Sequence, residues 1–274
     1  MYSRVYTEIT NICNRSCSFC PGTKREKRMV SKEEFEVLCK KLRGFTEYIY
    51  LHVMGEPLTH PELPRLIEIG RDLGFKVCIT TNGTLLPRRG SEIVSAGAYK
   101  VNISVHSFED GTREDHLRYI SGCLDFADYA SKNGVLTVLR LWNVGTDGGL
   151  NTETEKLLHE KFPEEWTYGK RGARLRHKLH LEYGERFEWP DSEAEDGGDS
   201  VFCYGLADHF GVLVDGTVVP CCLDREGVIS LGNIYRDDLR EILESDRAKA
   251  IREGFKCRRA SEELCRKCGY ARRF

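Results

Sequence analysis

The sequence predicts an α/β fold, a partial (β/α)6 TIM-like barrel followed by a small C-terminal domain built from a β-hairpin plus short helices. Short apolar runs alternate six times with helical patterns, which favours parallel strands because parallel neighbours need long crossover connections. Polar and glycine-rich segments follow the carboxyl ends of these runs, where the loops of such a barrel converge on one face. Beyond an acidic stretch at 191–199, the pattern changes to short strands and crowded cysteines.

Six apolar runs bounded by turn residues are the predicted strands. They lie at residues 5–10, 48–54, 76–81, 100–105, 135–141 and 178–183. The first helix begins at the capping box Ser31–Glu34 and carries Phe35, Leu38 and Leu42 at helical spacing. Further helices are expected at about residues 61–73, 91–95, 116–132 and 152–161.

Composition also sets the expected domain boundaries. We assign residues 1–190 to the barrel, 191–200 to an acidic linker and 201–274 to the second domain. In the second domain, two apolar runs flank Asp215-Gly216, which is a strong hairpin signal. Short helices are expected at 234–244 and 246–254. A basic patch precedes the sixth strand and consists of Lys170, Arg171, Arg174 and Arg176.

The overall composition restricts the classes of function. The formal net charge is −2, from 41 basic and 43 acidic residues, so nucleic acid is not an expected partner. No run approaches the roughly 20 apolar residues of a membrane span, and the start has no apolar signal core, so we expect a cytoplasmic protein with no membrane partner. Twelve cysteines then indicate metal or redox chemistry rather than disulfides. Cys39, Cys78 and Cys123 stand singly in apolar runs and are expected to be core thiols.

Three cysteines follow the first predicted strand at C-x3-C-x2-C spacing: Cys13, Cys17 and Cys20. A [4Fe–4S] cluster normally takes four thiolates, so three would leave one iron open to a second molecule. The same logic holds for catalytic zinc sites, which keep one position free. Three other interpretations remain open from spacing alone: a closed zinc site with a fourth ligand elsewhere, a disulfide, or three unrelated buried thiols.

This cysteine spacing, with Phe19 just before the last cysteine, resembles the signature loop of the radical S-adenosylmethionine (radical SAM) superfamily. The resemblance implies that Cys13, Cys17 and Cys20 bind a [4Fe–4S] cluster whose open iron chelates S-adenosylmethionine, with Phe19 near the adenine. It also implies one-electron cleavage of the sulfonium to a 5′-deoxyadenosyl radical, which abstracts hydrogen from the substrate. A flavodoxin- or ferredoxin-type reductant would supply the electron.

The same resemblance extends to residues at the other predicted strand ends. Met54-Gly55-Glu56-Pro57 is similar to the Gly-Gly-Glu-Pro element that meets the ammonium of S-adenosylmethionine, with Met54 in place of the first glycine. Ser104 and Arg140 fit the positions that hold the ribose and the carboxylate, and an arginine suits a carboxylate through its paired donors. Asn82, at the end of the third strand, is a further expected cofactor-binding residue.

The C-terminal cysteines resemble a short auxiliary-cluster domain of the SPASM or twitch type. The resemblance implies four ligands that close a second [4Fe–4S] cluster: Cys203, Cys221, Cys265 and Cys268. Cys222 and Cys257 are surplus in this interpretation, although either could replace Cys221 or supply a redox thiol. A zinc ribbon is the alternative, because C-x2-C pairs serve zinc equally well.

The substrate is expected to be a small, polar, cyclic molecule. Glu182 or Glu185 would accept hydrogen bonds from a guanine-like base, Tyr204 would stack on it, and His52 or His106 would contact a diol. The chain as a whole resembles a group of radical SAM proteins that includes a queuine lyase, which releases a 7-deazaguanine base from queuine. Three alternatives are an aminocyclitol-type radical dehydrogenase, a peptide-modifying maturase and a non-enzymatic iron–sulfur or zinc scaffold.

Overall fold

The structure is a computed structural model that describes residues 1–109 and 111–273. Within these residues, eleven strands form one sheet in the order β11-β10-β9-β1-β2-β3-β4-β5-β8-β7-β6. The strands are β1 (Arg4–Thr7), β2 (Tyr48–Tyr50), β3 (Lys76–Thr81), β4 (Lys100–Ser104), β5 (Leu136–Leu141), β6 (Thr167–Gly169), β7 (Gly172–Arg176), β8 (Leu179–Tyr183), β9 (His209–Val212), β10 (Thr217–Val219) and β11 (Gly232–Asn233).

Six neighbouring strands, β1 to β5 and β8, run parallel and correspond to the six predicted strands. Five helices occupy the crossovers between them, and three short helices follow β11. They are α1 (Lys32–Leu42), α2 (Leu63–Asp72), α3 (Leu86–Ser95), α4 (Arg113–Lys132), α5 (Leu150–Lys161), α6 (Leu239–Leu243), α7 (Asp246–Lys256) and α8 (Glu263–Arg266). The α/β fold class predicted from the sequence is therefore confirmed.

The predicted capping box at the start of α1 is present. Ser31 Oγ accepts the backbone N–H of Glu34 at 3.1 Å, and the Glu34 carboxylate accepts the N–H of Ser31 at 2.8 Å. Helix α3 begins earlier than predicted, at Leu86, because Pro87 occupies its first turn, where a missing N–H costs nothing.

The barrel differs from the prediction in the segment before its sixth parallel strand. Residues 167–176 form an antiparallel hairpin, β6–β7, that adds two strands to the edge of β8. These strands escaped sequence analysis because all three residues of β6 are exposed and β7 mixes arginines with apolar residues. The predicted basic patch lies on this hairpin.

The predicted C-terminal hairpin is present as β9–β10 and is continuous with the barrel. Strand β9 pairs in parallel with β1, with Phe210 opposite Val5. Gly216 closes the turn at φ +89°, and a Cβ there would lie 2.3 Å from the Tyr235 ring. One sheet therefore runs on both sides of the proposed linker at 191–200, which places the C-terminal cysteines beside the barrel.

The core lies between the helices and the outer face of the sheet, whereas the inner, lumen face carries polar and aromatic side chains. Cys39 and Cys123 are fully buried in this core, as predicted, whereas the equally buried Cys78 lies opposite Tyr50 on the lumen face. Strand residues on the lumen face include Tyr6, Tyr50 and Asn102. Among the described residues, none of the helices combines the length and apolar character needed to cross a bilayer.

Candidate active site and cofactor cavities

The loop that carries the first three cysteines leaves β1 and returns beside it. At its base, Val30 N–H donates to Ile9 O at 2.9 Å, and Asn11 on the outgoing side bonds to the returning side. The Asn11 amide donates to Glu26 O at 2.7 Å, and its oxygen accepts Arg28 N–H at 2.8 Å. These bonds fix a closed loop of backbone at the carboxyl end of β1, which is where a barrel places its reactive groups.

Cys13, Cys17 and Cys20 line one cavity of about 710 Å³. Six of the predicted site residues line the same cavity: Phe19, His52, Gly55, Glu56, Asn82 and Ser104. They come from the ends of β1 to β4, so the parallel sheet brings together residues as far apart in the sequence as Cys13 and Ser104. This cavity is the candidate site for the first cluster and its sulfonium ligand.

Gly55 is required by the close approach of two backbone segments. Its φ is +77°, and a Cβ at this position would lie 2.4 Å from Thr10 O and 2.9 Å from Ile12 O. The next residue, Glu56, donates its N–H to Ile12 O at 2.9 Å. The Gly55-Glu56 segment therefore pairs with the chain just before Cys13, and Met54 in the preceding position leaves this contact intact.

The Glu56 side chain is buried and committed to the protein. Its carboxylate accepts Thr81 Oγ1 at 2.7 Å, Asn82 N–H at 2.6 Å and Leu58 N–H at 3.0 Å. Burial raises the pKa of Glu56 to about 7, and the three donors oppose this shift. Glu56 thus ties the end of β2 to the end of β3, and it presents backbone rather than a free carboxylate to the cavity.

Asn82 contacts the cysteine loop directly. Its side-chain amide lies 3.9 Å from the Cys13 sulfur and donates to Asn14 Oδ1 at 2.9 Å. The Cys17 thiol donates to Ser107 O at 3.5 Å. The ends of β3 and β4 therefore hold the loop over the barrel.

A second group of residues clamps the outer side of the loop. Glu109 accepts the N–H of Ser18 at 2.6 Å and its hydroxyl at 2.7 Å, and it pairs with Arg186 at 2.7 Å. The Arg186 guanidinium lies 5.2 Å above the Phe19 ring, which itself lies 5.2 Å from the ring of His106. Phe19 therefore packs between the Arg186 guanidinium and the His106 imidazole.

Arg186 and Trp189 were not predicted from the sequence, because a single charged or aromatic residue has no spacing pattern that would mark it. Glu109 ends the polar run that follows the fourth predicted strand, a position at which site residues are expected. Trp189 lines the cysteine cavity from the predicted end of the barrel.

The structure pairs two predicted site residues with each other. Arg140 Nε donates to Glu182 at 3.0 Å, and its guanidinium lies 4.6 Å above the Trp142 ring. Neither Arg140 nor Glu182 lines the cysteine cavity. His106 is also outside it, with Nδ1 2.9 Å from Arg140 O. Burial lowers the pKa of His106 to about 4, so the imidazole is neutral near pH 7.

Glu182 and Glu185 line a separate cleft of about 560 Å³. Four aromatic rings share this cleft, those of Trp142, Tyr183, Phe187 and Tyr270. Here the carboxylates that were predicted to bind a base lie together with aromatic rings, although the predicted stacking residue Tyr204 is not among them.

The four predicted auxiliary ligands, Cys203, Cys221, Cys265 and Cys268, line a cavity of about 310 Å³. Tyr204 lies at its edge and is 48% exposed. Cys222 lines the same cavity, and its thiol hydrogen-bonds with the Tyr6 hydroxyl. Cys257 is exposed and lies outside the lining.

The electrostatics of this thiol group fit a metal cluster. Burial, followed by the neighbouring thiols, raises the pKa of Cys221 well above its usual range, and burial also raises the pKa values of Cys203, Cys265 and Cys268. Buried thiolates at this density need a compensating positive charge, which a metal cluster supplies. All twelve cysteines are free thiols, so no described cysteine is held in a disulfide.

The two cysteine cavities lie on either side of the segment 184–190. Phe187 lines the auxiliary cavity and the cleft, and Trp189 lines the first cavity. A second connection runs through the lumen, where the Tyr6 ring lies 5.4 Å from the ring of His52. The cleft therefore adjoins the auxiliary cavity, and the lumen links the auxiliary cavity to the first.

Two family models match this chain, one over each cysteine set. The family model described as "Radical SAM superfamily" matches residues 7–147, and the SPASM model, described as "Iron-sulfur cluster-binding domain", matches residues 203–269. The first match contains the cysteines of the first cavity, and the second match contains the four cysteines of the auxiliary cavity.

Two curated relatives illustrate the sequence similarity. A "GTP 3′,8-cyclase" of Chlorobaculum tepidum is 33% identical over 126 residues, covering 43% of this chain and 38% of that protein. A "Probable GTP 3′,8-cyclase" of Methanothermobacter marburgensis is 23% identical and covers 90% of both chains. The first alignment thus spans well under half of that relative's length, whereas the second spans nearly all of it.

Two solved structures share the fold. "BtrN in complex with AdoMet and 2-DOIA" has a TM-score of 0.60 at 18% identity, covering 98% of this chain and 93% of that one. "Native anSMEcpe with bound AdoMet" has a TM-score of 0.61 at 17% identity, covering 97% and 88%. Both names include AdoMet, the ligand that the first cavity was predicted to hold. The chain is a radical SAM enzyme, a member of the radical SAM superfamily that uses a [4Fe–4S] cluster with S-adenosylmethionine and has a C-terminal domain for additional iron–sulfur clusters.

Proposed function

We propose that this enzyme abstracts a hydrogen atom from a small, polar, cyclic substrate that carries a guanine-like base, and that queuine is such a substrate. The observation that carries the proposal is the cleft of about 560 Å³ beside the auxiliary cavity. Its two carboxylates can accept hydrogen bonds from the donor edge of a guanine-like base, and its rings can stack on the base plane.

The residues proposed to hold the cofactors follow from the cavities. Cys13, Cys17 and Cys20 would hold the first cluster, and the four cysteines of the auxiliary cavity would hold the second. Phe19, the Gly55-Glu56 backbone, Asn82 and Ser104 would surround S-adenosylmethionine. When bound, these groups supply one-electron cleavage of a sulfonium and thereby the species that abstracts hydrogen. A flavodoxin- or ferredoxin-type protein would be the reductant.

His52 is the better candidate of the two predicted histidines for a substrate contact. Its Nδ1 is buried, makes no hydrogen bond with any described residue, and belongs to a side chain that lines the first cavity. Burial, followed by Arg140, lowers its pKa to about 3, so it is a neutral imidazole at pH 7. A neutral imidazole can accept from or donate to a substrate hydroxyl, whereas His106 is already turned towards a backbone carbonyl.

The names of the curated relatives add independent support for a purine-like base. GTP, named as the substrate in "GTP 3′,8-cyclase", contains a guanine. Queuine contains a 7-deazaguanine with a cyclopentenediol appendage, which combines a base for the cleft with a diol for His52. Cleavage between these two parts is the lyase reaction that we propose.

The test is anaerobic turnover. Reconstituted, reduced enzyme with S-adenosylmethionine and queuine is expected to form 5′-deoxyadenosine and a smaller deazaguanine, detected by mass spectrometry. Glu185→Gln, at an exposed position of the cleft, should raise KM for queuine while 5′-deoxyadenosine formation without substrate is unchanged. Cleavage of S-adenosylmethionine with no deazaguanine product would exclude the lyase and leave the radical SAM assignment standing.

A second candidate, an aminocyclitol-type dehydrogenase, is favoured by the contact between the cleft and the auxiliary cavity. Trp142, Phe187 and Tyr270 line both. An auxiliary cluster this close to a substrate could accept the second electron of an oxidation. A product lighter by two hydrogens, with one 5′-deoxyadenosine per turnover, would favour this candidate. A modified peptide product would favour the maturase, as in "SuiB bound to precursor peptide SuiA".

A further inference from the structure

A third cavity, of about 660 Å³, lies on the lumen face at the edge of the sheet. It is bounded by β4, β5 and β8 and by the β6–β7 hairpin that sequence analysis did not foresee. Four of its lining residues are basic: Lys100, Arg171, Arg174 and His180. The acidic residue of the lining, Glu182, is already paired with Arg140 at 3.0 Å. The cavity therefore presents an excess of positive charge.

The hairpin explains why these side chains share one face. Arg174 pairs with His180 across β7 and β8, and His180 pairs with Val138 across β8 and β5. Residues directly opposite each other in a sheet project on the same side. The pairing thus places Arg174 and His180 beside Val138 on the lumen wall.

Within residues 1–109 and 111–273, Lys100, Arg171 and Arg174 make no side-chain hydrogen bond or ion pair. Arg171 and Arg174 are exposed, whereas Lys100 is about half-buried. Neighbouring cations are paired: Arg176 with Asp128 at 2.6 Å and Arg4 with Asp208 at 3.3 Å. The cavity therefore contains cations that lack the carboxylate partners of Arg176 and Arg4.

The burial of Lys100 makes the excess of positive charge in this cavity energetically unfavourable. Lys100 is about half-buried, and burial and then the nearby Arg140 lower its pKa, although Cys78 and Glu182 partly oppose this shift. Burial, Arg174 and Lys100 likewise lower the pKa of His180. A half-buried charge without a partner is unfavourable, and an anion in the cavity would remove that cost.

The basic cavity continues into the cleft proposed for the base. Arg171 and Glu182 line both spaces. We propose that this cavity binds a phosphate monoester on the substrate, so that the enzyme prefers the nucleoside 5′-phosphate of the guanine-like base to the free base in the adjoining cleft. The guanine-like base of this substrate rests on the proposed function, whereas the phosphate rests on the basic cavity alone. Three cations suit a phosphate, which is close to doubly charged at pH 7.

Direct binding to the reconstituted enzyme tests the proposal without turnover. Calorimetry would compare guanosine 5′-monophosphate with guanosine, and ribose 5-phosphate with ribose. We expect the phosphate to tighten binding by about tenfold or more in each pair, and this gain to shrink at high salt. Lys100→Gln and Arg174→Gln should each weaken the phosphorylated ligands by about tenfold and leave guanosine unchanged.

Arg43→Gln is the matched control, because Arg43 is an exposed arginine at the end of α1 and lines none of the cavities described. Arg174 is exposed, so its replacement should not impair folding even if that of Lys100 does. Equal affinities for phosphorylated and unphosphorylated ligands, or equal losses in Arg43→Gln and Arg174→Gln, would overturn the proposal. So would a short RNA that binds more tightly than the mononucleotide.

The two proposals can fail separately. If ribose 5-phosphate binds through Lys100 and Arg174 but guanosine 5′-monophosphate gains nothing from its base, the phosphate site stands and the guanine-like base is excluded. If guanosine binds and its phosphate adds nothing, the base cleft stands and the phosphate site is excluded.

Discussion

The guanidinium of Arg25 donates to the carboxylate of Glu8 at 2.7 Å, and this pair joins three parts of the site. Glu8 follows β1 and is buried; it also accepts the N–H of Met54 at 3.0 Å and that of Val214 at 2.9 Å. Arg25 belongs to the cysteine loop and also donates to Arg225 O at 2.7 Å. One carboxylate thus connects the cysteine loop, the Gly55 segment and the hairpin that leads to Cys221.

We expect Glu8→Gln to destabilise the protein by about 3 kcal/mol, because it leaves a largely buried arginine without its counter-ion. It should also speed tryptic cleavage in the loop, which offers Lys24, Arg25, Lys27 and Arg28. Urea unfolding and timed proteolysis measure the two effects. Glu47→Gln is the control: its pair with Lys76 is exposed, so a loss below about 1 kcal/mol is expected. A Glu8→Gln protein as stable and protease-resistant as the control would contradict this role.

Gly55→Ala should damage the site more than Gly74→Ala. Both glycines have positive φ, +77° and +91°, so both substitutions carry similar backbone strain. At Gly74 an added Cβ meets nothing within 4 Å, whereas at Gly55 it would lie 2.4 Å from Thr10 O. We expect an additional loss of about 2 kcal/mol at Gly55, together with weaker S-adenosylmethionine binding by calorimetry. Equal losses for the two variants would show that the close backbone approach is unimportant.

The two cysteine sets should load iron independently. Reconstituted wild-type protein is expected to contain about eight irons, and replacement of Cys13, Cys17 and Cys20 by alanine about four. Replacement of the four auxiliary cysteines should also leave about four irons. Because the first site is intact in this variant, it should still cleave S-adenosylmethionine. Cys222→Ser and Cys257→Ser should keep about eight. Iron analysis measures each count, and a loss of about four in Cys222→Ser would place that residue in the ligand set instead.

The contribution of His106 to stability should fall as the pH falls from about 6.5 to about 4, whereas Glu56, whose pKa is raised to about 7, contributes in the opposite direction. The pKa of His106 is about 4 in the folded protein and about 6.5 when unfolded, so in this range unfolding takes up a proton. Taken alone, this linkage is worth about 3 kcal/mol at the acid end. His106 faces Arg140, Arg186 and Glu109, and His52 shifts in the same direction.

His106→Gln removes one of these linked protons. The difference in the free energy of unfolding between wild type and variant should therefore shrink as the pH is lowered from 7 to 4.5. Urea titrations of the reduced, metal-free protein at both pH values measure it. A constant difference would mean that the imidazole is already protonated in the fold, or that it titrates normally.

Local patterns predicted much of the fold. The six parallel strands were recognisable because a strand buried on both faces is a continuous apolar run, and the start of α1 at Ser31 was recognisable because a capping box is a local signal. Strands β6 and β7 were not recognisable, because they are short, largely exposed and stabilised by pairing with β8 rather than by their own pattern.

Candidate site residues show the same division. The cysteine sets were evident from their spacing, and the residues after β2, β3 and β4 could be expected at one edge of a parallel sheet. From the sequence, Arg140 was predicted to bind the carboxylate of S-adenosylmethionine and Glu182 to bind the base of the substrate. In the structure the two side chains pair with each other across β5 and β8. The structure also distinguishes His52 from His106, because the ring of His106 is turned towards the backbone carbonyl of Arg140.

By itself, the sequence determined the fold class, the two sets of thiols and the membership of a family, because each depends on the spacing of residues that are close together in the chain. Tertiary structure decided which side chains are already satisfied and which are left over: Glu56 and Arg140 are bonded within the protein, while among the described residues His52 Nδ1 and Lys100 have no such partner. The physical reason is that satisfaction of a polar group depends on partners distant in the chain, and only the pairing of strands brings those partners within hydrogen-bonding distance.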